Sequence, residues 1–158
     1  MARVRKAVLP VAGLGTRVLP ATKSIPKEML PLIDRPLIQY AVEEALEAGI
    51  DSLVFISSTR KHTIYDHFSP DFELEDRLER ARKTDLLHAI KDIVPARVDR
   101  VYVTQPEALG LGHAILCAER VIGDDALEEW SAVAGGTDSA KPKISRNEKY
   151  WVPNNTSW

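Results

Sequence analysis

A single cysteine, Cys117, stands among 158 residues. No internal disulfide can form, and such usage suits a reducing compartment, so a cytoplasmic protein is expected. Long hydrophobic runs are missing too: none approaches the roughly 20 residues that a membrane-spanning helix needs. The charged opening Met1-Ala2-Arg3-Val4-Arg5-Lys6 is followed by Pro10 and Gly13, which break the apolar stretch behind it, so it does not read as a signal peptide. Nor is there an excess of one charge. A formal net charge of -2 gives no global electrostatic reason to expect nucleic acid or an anionic membrane as partner. No internal repeat is evident. The lone thiol lies in an apolar stretch over 114–118, where packing explains it better than reactivity.

What is present fits a soluble globular domain: 44% hydrophobic and 28% charged residues, in a chain long enough for one real core. Charge is unevenly spread. The first 40 residues hold Arg3, Arg5, Lys6, Arg17, Lys23, Lys27 and Arg35 against only Glu28 and Asp34. A solvated basic face would account for that excess, and so would local binding of an anion.

Short apolar runs alternate with helical patterns. Residues 7–12 form an apolar run bounded by Gly13, which predicts a buried strand. A helix is expected over 36–48, with Pro36 in its first turn and Gly49 as its stop. Residues 52–57 (SLVFIS) read as a second strand and 61–68 as a short helix. A long charged helical region spans 72–94, open to division near Thr84. A third strand follows over 100–104, then a helix over 112–121. Strands separated by helices imply βαβ units: an α/β fold, mostly parallel, with helices on both faces. Composition changes near Gly123. Trp130, Trp151 and Trp158 all lie beyond it, as does the polar run over 135–143. Only residues 130–134 resemble a further strand, and poorly. A nucleotide-binding part over 1–125 and a divergent tail over 126–158, expected to be disordered, are the resulting division.

The most informative stretch is VLPVAGLGTRVLPATKSIPKEMLP, residues 8–31. The first strand ends in Gly13-Leu14-Gly15-Thr16-Arg17, and Lys23 and Lys27 follow within one basic loop. Two small residues let backbone N–H groups approach an anion, and Arg17 and Lys27 are of the type that meets phosphate oxygens. The loop is not a dinucleotide fingerprint, because Val18 stands where a third glycine belongs and Pro20 interrupts the next helix. It also lacks the Gly-Lys-Ser/Thr ending of a P-loop.

Six strings occur in order: AGLGTR (12–17), LPATK (19–23), IPKEMLP (25–31), RPLIQY (35–40), FELE (72–75) and GLGHA (110–114). Together they resemble the sugar-1-phosphate nucleotidylyltransferases, and most of all the bacterial UTP–glucose-1-phosphate uridylyltransferases, or UDP-glucose pyrophosphorylases. The resemblance covers about residues 4–125 and implies an incomplete Rossmann-like nucleotidyltransferase sheet. It also implies roles. Ala12, Gly13, Leu14, Gly15 and Thr16 would contact the nucleotide, with the uracil near Ala12 and Gly13. Arg17 and Lys27 would neutralise the UTP phosphates as the catalytic cations. Gln105, at the end of the third strand, has an amide that both donates and accepts, which suits a uracil edge. Gly112 would let the backbone pass beside the base. Glu28 reads as support for the loop, and His113 as a helix-start or packing residue. His62, His67 and His88 carry no mark of a ligand.

The implied reaction is attack of a glucose 1-phosphate oxygen on the α-phosphorus of UTP, with Mg²⁺ bridging phosphates and pyrophosphate leaving. After Asp125 the family pattern is lost, and the aspartates expected to hold the metal are missing; Asp138, with no strand before it, is not a candidate. A truncated chain that makes no UDP-glucose unaided is therefore expected. The alternatives are a non-catalytic nucleotide-binding fragment and a related thymidylyltransferase, against which the PATK and PKEM strings argue. A homo-oligomer is possible for a full-length protein.

Overall fold

The computed structural model describes residues 5–59, 61–123 and the backbone of 127–129. Strand β1 (Lys6–Pro10) leads into three short 3₁₀ turns, Thr16–Val18, Ala21–Lys23 and Lys27–Met29. A two-residue hairpin, β2 (Pro31–Leu32) with β3 (Arg35–Pro36), precedes helix α1 (Leu37–Glu47). Then come β4 (Ser52–Ser57), α2 (His62–Phe68), α3 (Phe72–Arg80), α4 (Thr84–Lys91), β5 (Asp99–Thr104), α5 (Leu111–Ile122) and β6 (Leu127–Glu129).

The main sheet runs β5-β4-β1-β6, and every pairing in it is parallel. Lys6 pairs with Ser52 and with Leu127, while Ser52 pairs with Asp99, so the four strands start level. Strand alternation sorts the core into two layers. Ala7, Leu9, Leu53 and Phe55 point to one face and are covered by Ile38, Val42 and Ala45 of α1 and Ile64 and Phe68 of α2. Val8, Val54 and Ile56 point to the other, against Ala114, Ala118 and Ile122 of α5. Both faces of the sheet are thus buried by helices, as parallel strands require. Phe55 anchors the first layer, stacked on Phe68 at 5.0 Å and on Tyr102 at 5.1 Å. Lys6 ties α5 back to the first strand: its Nζ donates to the carbonyls of Val121 and Ile122, both at 3.1 Å, a cation placed on the helix's negative end.

The expected helical region over 72–94 is two helices. Arg82 takes φ 52 between them, a left-handed turn that no helix can pass through. Their apolar positions are only half used, since Phe72, Leu74 and Leu86 remain exposed. A strand at Leu127–Glu129, inside the stretch assigned to the tail, was not expected; a three-residue Leu-Glu-Glu segment carries little strand propensity, and its pairing along β1 is a tertiary effect. The weak strand candidate over 130–134, Asp138 and, apart from 127–129, the tail over 126–158 expected to be disordered lie outside the described residues.

Candidate active site

Ligands of open parallel sheets bind beyond the carboxyl ends of the strands, because connecting loops and helix N-termini converge there. A cavity of about 400 Å³ occupies that position here. Its walls are the loop after β1 (Ala12, Gly13, Leu14, Gly15 and Thr16), the Lys27-Glu28 turn, Gln105 just after β5, and the start of α5 at Gly110, Leu111 and Ala114. Sequence reasoning nominated most of these, and the fold brings them together across more than 90 residues of chain.

The loop after β1 is held from within. Gly15 has φ 66, and a Cβ there would lie 3.2 Å from the Thr22 Cβ and 3.3 Å from the Lys27 Cβ, so both conformation and packing require glycine. Thr22 Oγ1 donates to the Gly15 carbonyl at 2.7 Å and fixes the turn. Gly13 differs. A Cβ there would meet only the Lys27 Cε, at 3.9 Å, so its missing side chain leaves open space at the mouth of the cavity.

Beneath the loop lies a group the sequence did not reveal. Lys61, just before α2, sends its Nζ 2.5 Å to the Val11 carbonyl and 2.8 Å to Glu28 Oε2. The two side chains are 8% and 2% exposed. Burial, the largest influence, together with the nearby charge of Lys27 holds the Lys61 ammonium below its ordinary 10.5, although the bond and charge of Glu28 act to raise it. Glu28 is therefore structural, as expected. Joined by one ammonium, the end of β1 and the Lys27 turn cannot move apart. No local pattern marks Lys61; its partners lie 50 and 33 residues away.

Lys27 is half-buried at the cavity wall, and its ammonium has no hydrogen bond or ion pair among the described residues. Arg17 and Gly112 do not line the cavity. Arg17 is exposed on the turn after Gly15, and Gly112 sits in the first turn of α5, where a Cβ would meet nothing within 4 Å. Gln105 is 4% exposed. Its backbone N–H donates 2.7 Å to the Ser57 carbonyl, and its Nε2 reaches the Gly110 carbonyl at 3.2 Å and His113 Nδ1 at 3.0 Å. His113, expected to be a packing residue, is thus a hydrogen-bond partner of the site.

A Mg²⁺ ion prefers oxygen donors, usually one or two carboxylates beside phosphate. Among the described residues the only carboxylate lining the cavity is Glu28, already paired with Lys61, and no group of three or more potential metal ligands occurs. These residues do not fit a resident Mg²⁺.

The family model of the nucleotidyl transferases matches residues 6–137. The chain belongs to the nucleotidyl transferase family. Over 123 residues it is 54% identical to the UTP–glucose-1-phosphate uridylyltransferase of Escherichia coli (strain K12), covering 78% of this chain and 41% of that one. The Bacillus subtilis (strain 168) protein of the same name is 51% identical over 125 residues, covering 79% and 42%. Among solved structures, the UTP-bound UGPase from Acinetobacter baumannii superposes with a TM-score of 0.79 at 50% identity, covering 85% of this chain and 48% of that chain. The chain thus spans about two fifths of the curated nucleotidyl transferases it matches. No helix among the described residues is long and apolar enough to cross a membrane.

Proposed function

We propose that this chain carries the UTP-gripping part of a UTP–glucose-1-phosphate uridylyltransferase. The reaction is transfer of UMP from UTP to glucose 1-phosphate, giving UDP-glucose and pyrophosphate. One observation carries the reading: a lysine ammonium without a partner among the described residues and a glycine-opened backbone share a single cavity with a buried glutamine amide. A polyphosphate needs the first two, and a base edge needs the third. The volume suits a nucleotide-sized ligand.

The residues divide the work. Backbone N–H groups at 13–16 and the Lys27 ammonium take the phosphates; Arg17, exposed and next in the chain to the cavity-lining Thr16, adds a second cation once phosphate is bound. Gln105 takes the uracil, beside the start of α5 at Gly110 and Leu111. A phosphate oxygen of glucose 1-phosphate attacks the α-phosphorus, and the bond to pyrophosphate breaks opposite it. No covalent enzyme intermediate is involved. The protein contributes alignment and charge neutralisation. Its single cysteine supports a reducing, cytoplasmic setting.

A second reading is a nucleotide-binding chain without turnover; among the described residues the one carboxylate lining the cavity, Glu28, is paired with Lys61. Calorimetric titration with UTP tests the first part of the proposal. The 158-residue chain binds UTP, and Lys27→Ala weakens binding by about 1.5–3 kcal/mol, the worth of a hydrogen bond to a charged group. Equal affinity in the two proteins would remove Lys27 from the site. Pyrophosphate release from UTP and glucose 1-phosphate by the chain alone would exclude the second reading. A parallel titration with dTTP addresses the thymidylyltransferase alternative.

A further inference from the structure

The base end of the cavity contains a hydrogen-bond chain that fixes more than packing. The Gly110 carbonyl can only accept, so the Gln105 atom 3.2 Å from it is the amide nitrogen, not the oxygen. The same nitrogen lies 3.0 Å from His113 Nδ1. An amide N–H can bond to Nδ1 only if that nitrogen carries no proton. The ring proton is then on Nε2, which lies 3.9 Å from Cys117 Sγ, a weak acceptor. Both N–H groups of Gln105 are committed, one to Gly110 and one to His113. What remains for the cavity it lines is Oε1, which accepts and cannot donate.

We propose that His113 is a specificity-positioning residue: by accepting from Gln105 through an unprotonated Nδ1, it locks the glutamine as an acceptor and so selects a base with an imide N–H. Uracil and thymine present a donor at N3. Cytosine presents a lone pair there, which would face the Oε1 lone pairs. Without His113, one buried N–H of Gln105 loses its partner, and the amide gains reason to turn its nitrogen toward the cavity. The locked form is set by two groups on one helix start, Gly110 and His113, three residues apart, so the start of α5 reads the base through Gln105 without touching it. The inference rests on the proposed nucleotide reading of the cavity.

The test measures discrimination, not affinity alone. UTP and CTP are titrated against the full chain, His113→Leu and His113→Asn. The wild type prefers UTP. His113→Leu lowers the UTP-to-CTP affinity ratio by about fivefold or more, what one net hydrogen bond is worth. His113→Asn, whose Oδ1 can accept where Nδ1 did, restores most of it. Loss of packing would weaken both nucleotides equally and leave the ratio unchanged; that result overturns the proposal. A wild type that binds neither nucleotide overturns the nucleotide reading; one that binds both equally overturns this proposal alone. Nitrogen NMR of the His113 ring in the unmodified chain needs no variant: Nδ1 bare and Nε2 protonated at neutral pH supports the lock, and a proton on Nδ1 overturns it.

Discussion

Replacing Lys61 by methionine tests how the phosphate-side loop is held. The substitution keeps the apolar stem and removes the ammonium. Glu28, 2% exposed, then keeps a buried carboxylate without its counter-ion, and the Val11 carbonyl loses a donor 2.5 Å away. Breaking a buried pair by removing one partner costs about 3–5 kcal/mol. Against a total of about 5–15 kcal/mol for an ordinary domain, that is a large fraction. In urea, at a slope of about 1–3 kcal/mol per molar, the midpoint falls by 1 M or more. The companion variant Lys61→Met/Glu28→Leu removes both charges together. Its expected penalty is only the orphaned Val11 carbonyl, about 1–3 kcal/mol.

The direction of the lysine's titration supports this asymmetry. Burial holds the folded ammonium below the unfolded 10.5, so in the window between the two values the unfolded chain binds more protons and Lys61's share of stability rises with pH. Below that window both states hold the proton and the lysine adds no further pH dependence. Lys61 joins the end of β1 to the turn bearing Lys27. UTP affinity should therefore stay low in the double variant although much of the stability returns. Refutation would come from a single variant within about 1 kcal/mol of wild type, or a double variant as unstable as the single.

Further outcomes are expected elsewhere in the fold. Gly15→Ala forces an L-residue into φ 66 against Thr22 and Lys27 and should lower stability by about 1–2 kcal/mol in urea unfolding. Gly112→Ala has open space around the new methyl, so stability holds or rises by about 0.5 kcal/mol. If the base lies along the start of α5, that same variant weakens UTP in a calorimetric titration; unchanged affinity would place the base elsewhere. His67, bonded to Gln39 Oε1 at 3.0 Å and set edge-on to Phe68, is held below 6.5 by burial. The unfolded chain takes up the proton first, so stability is full above 6.5 and falls as pH drops toward the folded value. Urea midpoints across pH 5–8 should fall less steeply for His67→Gln, and parallel curves would exclude His67 from the acid dependence.

Much of the architecture was legible because its signals are local. The SLVFIS run gave Ser52–Ser57 to the residue, since a doubly buried strand is apolar throughout. Gly49, with φ 86, marked the end of α1 because a positive φ there suits glycine. The Gly13–Thr16 wall and Lys27 could be nominated from spacing along one loop. Groups whose meaning depends on a distant partner could not. Lys61 sits in an ordinary polar stretch and becomes the brace of the site only when β1 and the Lys27 turn are packed beside it. His113 looked like a helix-start residue because its partner, Gln105, lies across a turn that only Gly110, at φ 91, lets the chain make. Both omissions are the same physical kind. A buried polar side chain must find its partner somewhere, and where the partner is remote in sequence only the fold names it. The phosphate end and the base end of the cavity are each supported by one such group, so a substitution that leaves every nominated contact residue in place can still disable binding.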